Sequence, residues 1–126
     1  WGRERVGPVP DACGAALLAA VRFQRAIGFA RVHARIRELR LHMFDRLSAL
    51  PRVQMMSPRA EAAGMVSFTV EGLPALELQK RLGERNVRTR VIGEYNYNWM
   101  RLSASVYNTR EQIDTVVSLI AGAANK

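Results

Sequence analysis

Apolar residues follow two rhythms along this chain. Some stretches repeat every three or four residues, as one face of a helix does, and shorter ones alternate, as a half-buried strand does. The first helical stretch runs from Asp11, a suitable N-cap, to about Ile27. Its bulky apolar residues are Leu17, Leu18, Val21 and Phe23, small residues from Ala12 to Ala16 suit close helix packing, and Gly28 supplies the stop. A second helix is predicted from Phe29 to Ala49, with Val32, Ile36, Leu39, Met43 and Leu47 as its buried stripe and Pro51 beyond its end. Alternation then takes over, first in a short strand at Val53 to Met56. A polar turn from Ser57 to Ala63 leads to a strand from Met65 to Val70, with Val66, Phe68 and Val70 inward and Ser67 and Thr69 outward. Gly72, Leu73 and Pro74 turn the chain into a third helix, Ala75 to Arg85, carried by Leu76, Leu78 and Leu82. Asn86 releases it into Val87 to Ile92, where Val87, Thr89 and Val91 part from Arg88, Arg90 and Ile92.

The last stretch, WMRLSASVYNTREQID from Trp99 to Asp114, passes from strand to helix within one motif. Met100, Leu102, Ala104 and Val106 would face one side; Trp99, Arg101, Ser103, Ser105 and Tyr107 the other. Tyr107-Asn108 breaks the strand. Thr109 followed by Gln112 is a capping box, opening a helix whose stripe is Ile113, Val116, Val117 and Ile120. Together these elements predict an α+β fold, a small and mostly antiparallel sheet of about four strands with helices on one face. So few strands cannot enclose a pocket, so one sheet face or edge is expected to work against something outside this chain.

Composition changes this picture little. At 126 residues and 48% hydrophobic content one core is expected. No apolar run is long enough to span a bilayer, and a chain opening at Trp1 reads as a soluble fragment, expected in the cytoplasm with no membrane partner. The single cysteine, Cys13, is expected as a buried packing thiol, and a reducing compartment suits it. His33 and His42 are too far apart along their helix, and too far from any cysteine, to suggest a metal site.

The net charge of +8 raises nucleic acid as a partner, and a basic ridge of Arg31, Arg35, Arg37 and Arg40 is where it would bind. Yet 17 of the 19 basic residues are arginines scattered among acids, with no stacking aromatics on that helix face, which weighs against it. Chemistry instead gathers near the C-terminal strands. Arg88 and Arg90 precede the loop Glu94-Tyr95-Asn96-Tyr97-Asn98, and Arg101 follows it. A guanidinium fork pairs bidentately with a carboxylate, so this arrangement suits a small acidic ligand. Tyr95 and Tyr97 either line that site or pack on Trp99.

The pattern of Arg101, Ser103, Tyr107, Asn108, Thr109, Ile113 and Asp114 resembles the C-terminal signature of class V aminotransferase-like, pyridoxal-phosphate-dependent enzymes. Cysteine desulfurases, selenocysteine lyases and isopenicillin N epimerase-like proteins belong to that group. The likeness extends through Gly64 to Phe68, Glu77-Leu78 and Val87-Arg88-Thr89. It implies the C-terminal small domain of a fold-type I enzyme that is α/β as a whole. Residues 1–28 would be a lead-in and helix linking to a missing large domain that binds pyridoxal 5'-phosphate, and residues 29–126 the small domain. It further implies a homodimer, an amino-acid-like substrate, Arg101 as the clamp on its α-carboxylate and Arg88, Tyr95 and Tyr97 near the substrate. This fragment alone would be inactive, because neither Lys80, on a polar helix face, nor the terminal Lys126 resembles a buried cofactor lysine.

Two departures from the family pattern bear on chemistry. The glycine-threonine pair expected near the start, which reaches cofactor phosphate, is absent after Glu4, leaving Arg3 or Arg5 as substitutes and a degenerate homologue kept for dimerisation as an alternative. No cysteine lies between Arg90 and Met100, where desulfurases of the family carry their persulfide-forming thiol. The resulting expectation excludes a cysteine-persulfide desulfurase and leaves epimerisation, elimination or other lyase chemistry, or transamination.

Overall fold

The computed structural model describes residues 11–60 and 63–124. Trp1 to Pro10, with Arg3 and Arg5, and the terminal Lys126 lie outside the described residues. The chain forms two compact units, Trp1–His33 and Ala34–Lys126.

In the first unit, α1 (Asp11–Ile27) ends where Gly28 takes a φ of 96°, its amide donating to Gln24 O at 3.0 Å. A left-handed glycine is the ordinary way to satisfy a last-turn carbonyl. Arg31 Nε donates to Ile27 O at 2.7 Å and covers another. None of α1 is buried: Leu17, Leu18, Val21 and Phe23 are exposed, and so is Cys13, which corrects its expected place as a packing thiol.

In the second unit, the run of α2 (Phe29–Ser48) beyond His33 buries Leu39, Met43 and Leu47 at three- and four-residue spacing. Four strands follow, β1 (Val53–Met55), β2 (Met65–Val70), β3 (Arg90–Ile92) and β4 (Trp99–Ser103), with α3 (Ala75–Gly83) between β2 and β3 and α4 (Arg110–Ala124) after β4. The sheet order is β1-β2-β4-β3 with every neighbour antiparallel. Val66, Phe68 and Val70 of β2 and Met100 and Leu102 of β4 face the core, closed by Leu39 and Met43 of α2, Leu78 and Leu82 of α3 and Ile113, Val117 and Ile120 of α4. All three helices therefore pack on one face of the sheet. The other face carries Ser67, Thr69, Trp99 and Arg101, half-buried, and no helix of this unit packs on it.

Two expectations about elements need correction. The strand predicted from Val87 pairs only from Arg90, and Leu76 is 70% exposed, Ala75 taking its place on the buried side of α3. A larger correction concerns Arg40, which is 2% exposed and not part of any basic ridge. Its guanidinium donates to the carbonyls of Pro58, Arg59 and Met65, and so ties the β1–β2 connection to α2. Burial, and then the nearby Arg59, hold its pKa below the ordinary arginine value.

The strand-to-helix motif folds as its letters predict. Thr109 Oγ1 accepts from Gln112 N at 3.2 Å while Gln112 Oε1 accepts from Thr109 N at 3.1 Å, a reciprocal cap. Asn108 Oδ1 accepts from Ser105 N at 2.8 Å and closes the turn. Arg35 donates to Asn108 O at 3.0 Å and to Glu38, which also receives Arg110. Asp114 is held between Arg46 Nε at 2.9 Å and His42 Nε2 at 3.0 Å.

Candidate active-site face

Register places Arg101 at the centre of the uncovered sheet face, opposite Ser67 on β2 and Arg90 on β3. Its position follows from alternation: Met100 and Leu102 are driven into the core, so Arg101 must point away from it. The Nε of Arg101 is buried and has no hydrogen-bond partner. Among the described residues its guanidinium makes no hydrogen bond or ion pair. A buried nitrogen of a charged group is costly to leave without an acceptor, so Nε, like the hydroxyl of Thr89, is open to a partner from outside the described residues.

Arg90 beside it is in a different state. Its Nη2 donates to Glu94 Oε1 at 2.9 Å, and Glu94 is held below its ordinary pKa by its own backbone amide and then by Arg90. The pair neutralises Arg90 and anchors the loop. The loop then turns through Tyr95 and Asn96, with φ of 57° and 62°, and returns as Tyr97 stacks on Trp99 with centroids 4.2 Å apart and planes 11° off parallel. Asn98 Oδ1 accepts from Ala75 N at 2.8 Å, fixing the loop's far end to the start of α3.

The four predicted site residues are thus not gathered into one pocket. Tyr95 is 89% exposed at the loop tip, and Tyr97 packs on Trp99. Arg88 is exposed and lines an open cleft of about 380 Å³ at the end of the sheet, with Met43, Leu102, Ser103, Gln112 and Val116. Arg101 lies on the sheet face and does not line that cleft. Sequence reasoning missed the Arg90–Glu94 pair and the Asn98 contact; an i,i+4 basic-acidic spacing was the available signal for the first. Among the described residues no group of histidine, cysteine and carboxylate side chains could hold a metal, and no single helix is long and apolar enough to cross a membrane.

Known proteins resemble this chain in sequence and in fold. The family model for Aminotransferase class-V matches residues 7–116. The chain belongs to the aminotransferase class-V family, a family of pyridoxal-phosphate-dependent enzymes, as its C-terminal motif suggests. A cysteine desulfurase from Haloferax volcanii is 29% identical over 134 residues, covering 98% of this chain and 31% of the relative. A probable cysteine desulfurase from Staphylococcus aureus is 22% identical, covering 82% of this chain and 28% of the relative. The chain thus spans less than a third of these relatives.

Among solved structures, a cystine C-S lyase in complex with its reaction product cysteine persulfide is 27% identical, with a TM-score of 0.75, over 85% of this chain and 28% of that one. A mutant of the same lyase has glycine covalently linked to the PLP cofactor. A cysteine desulfurase from Escherichia coli, 18% identical, shares the fold at a TM-score of 0.80 over 95% of this chain. The expected α+β small-domain fold and the expected cofactor class agree with these findings.

They overturn one expectation. Excluding cysteine-persulfide desulfurases from the empty interval between Arg90 and Met100 is contradicted by relatives that are cysteine desulfurases. An empty interval in one loop is a weaker signal than the likeness of the chain to these relatives.

Proposed function

We propose that this chain is the C-terminal part of a pyridoxal-phosphate-dependent enzyme that breaks a carbon–sulfur bond in a cysteine-type amino acid, with Arg101 gripping the substrate's α-carboxylate. The unpaired, buried Nε of Arg101 carries the reading. It supports an anionic partner arriving on the uncovered sheet face, within the family's own motif. Lys80 is exposed on α3 and does not suit a covalently held cofactor, so the cofactor lysine is assigned to the remainder of the longer protein.

When bound, pyridoxal phosphate supplies an electron sink for the breaking bond. The residues here orient. A planar guanidinium making two parallel bonds to a carboxylate fixes the Cα substituents in space, and the rigid strand beneath it holds that direction. The capped turn at Asn108 and Thr109, tied to α2 by Arg35, keeps β4 in register. Arg88 lines a cleft that Arg101 does not share, and it is given no contact with this substrate. A cytoplasmic homodimer completes the proposal.

In the full-length enzyme, Arg101→Ala should raise KM for cysteine by about a hundredfold, the scale of a lost bidentate charged pair, while the visible absorbance of bound cofactor stays near wild type. Equal loss of cofactor and substrate binding would make Arg101 structural. The basic-ridge alternative has lost its geometry, since Arg40 is buried and Arg35 is bonded to Glu38 and Asn108.

A further inference from the structure

Trp99 and Arg101 stand two residues apart on β4, on the same face, about 6.7 Å apart along the strand. Tyr97 stacks face to face on Trp99 and backs its ring, leaving the other face of Trp99 free of that contact. This surface is held at three points: the Arg90–Glu94 ion pair at one end of the loop, the Asn98–Ala75 hydrogen bond at the other, and the stack itself. The same Glu94 cancels the charge of Arg90, the register partner of Arg101. A carboxylate reaching this face therefore meets one unpaired guanidinium beside a rigid aromatic surface.

We propose that the Tyr97–Trp99 stack is a specificity wall, against which the side chain of an amino acid held at Arg101 lies, and that it selects side chains carrying a polarizable sulfur. This rests on the assignment of Arg101 as carboxylate clamp. Aromatic rings attract a thiol or thioether sulfur at close range, and neither ring carries a formal charge to hold an ionic side chain. The Asn98–Ala75 hydrogen bond and the stack itself limit the freedom that the rings have to lose when the substrate arrives, and the Arg90–Glu94 pair, more than half exposed on both sides, adds little.

The test uses the full-length holoenzyme with two probes: cysteine as substrate, and glycine, which has the carboxylate but no side chain, as a competitive inhibitor. Trp99→Ala should raise KM for cysteine about two- to tenfold, the range of a sulfur–aromatic contact, and leave glycine inhibition within about twofold of wild type. Trp99→Phe keeps a ring and should recover most of the loss. The wall is overturned if Trp99→Ala leaves cysteine unaffected, or weakens cysteine and glycine by the same factor. Arg101→Ala should weaken both probes together. If it weakens neither, the clamp fails and takes the wall with it, whereas failure of Trp99→Ala alone leaves the clamp standing.

Discussion

Arg40 offers a quantitative check on how the site's support is built. Its side chain is buried and donates to the carbonyls of Pro58 and Arg59 and, at 3.4 Å, to that of Met65. Replacing it with Ala or Met leaves those carbonyls without their donor. Each of the two close charged bonds is worth about 1.5–3 kcal/mol, and the long third one little. Against this stands the cost of keeping a guanidinium out of water, which its lowered pKa reflects. The balance is about 3 kcal/mol, and Arg40→Lys should recover only part of it, because a single ammonium cannot reproduce a planar fork. The loss should be local to the β1–β2 connection and the start of β2. A multidomain enzyme is not a two-state system, so amide hydrogen exchange of residues 56–60 and 63–67 in the full-length protein is the right assay. At about 1.4 kcal/mol per decade, exchange there should quicken by roughly a hundredfold in Arg40→Met. Exchange within about threefold of wild type would refute the reasoning and make Arg40 a bystander.

Other outcomes follow from the same structure. Thr109→Ala removes one arm of the cap on α4 and should cost about 1 kcal/mol, read as faster exchange in the first turn of that helix, with Thr109→Ser near wild type. Gly64→Ala places a Cβ 2.6 Å from the backbone oxygen of Ala104 and should lower local stability by about 1–3 kcal/mol, read as faster amide exchange where β2 begins, whereas Gly83→Ala, with nothing within 4 Å, should not. Burial opposes ionisation of Asp114, but the bonds from Arg46 and His42 outweigh it and leave its pKa lowered. A depressed carboxylate contributes stability above its unfolded pKa and loses it as pH falls through the folded one. Asp114→Asn should therefore be less stable than wild type at neutral pH, and the gap should close below roughly pH 4 in a pH series of denaturation midpoints.

Much of the architecture is legible in the residues. The alternation of Val66, Phe68 and Val70, the stripe of Ile113, Val117 and Ile120, and the Thr109–Gln112 box are local signals, and local physics carries them into the fold. Arg40 was not legible as a core residue, because charge predicts exposure unless carbonyls from elsewhere in the chain meet it. One signal was present: Arg40 sits four residues after Ile36 and three before Met43, at the spacing of the buried face. Leu76 failed for the opposite reason, its hydrophobicity outweighing a helix phase that puts Ala75, Leu78 and Leu82 inside. Alternation sets the direction of Arg101, but its lack of a partner is a property of the whole sheet face. The exclusion drawn from the loop failed because cysteine desulfurases are among the relatives, and the absence of one residue type from one loop does not decide a reaction.

The central claim is that Arg101 recognises a carboxylate. The most direct measurement compares cysteine with its carboxamide in the full-length enzyme, as the ratio of their kcat/KM values in wild type and in Arg101→Ala. Wild type should favour the acid by about a hundredfold, since an amide offers a guanidinium no anionic pair of oxygens, and the variant should bring the ratio close to one. A ratio that survives the substitution unchanged would mean that another residue reads the acid, and that the unpaired guanidinium on this sheet face serves something else.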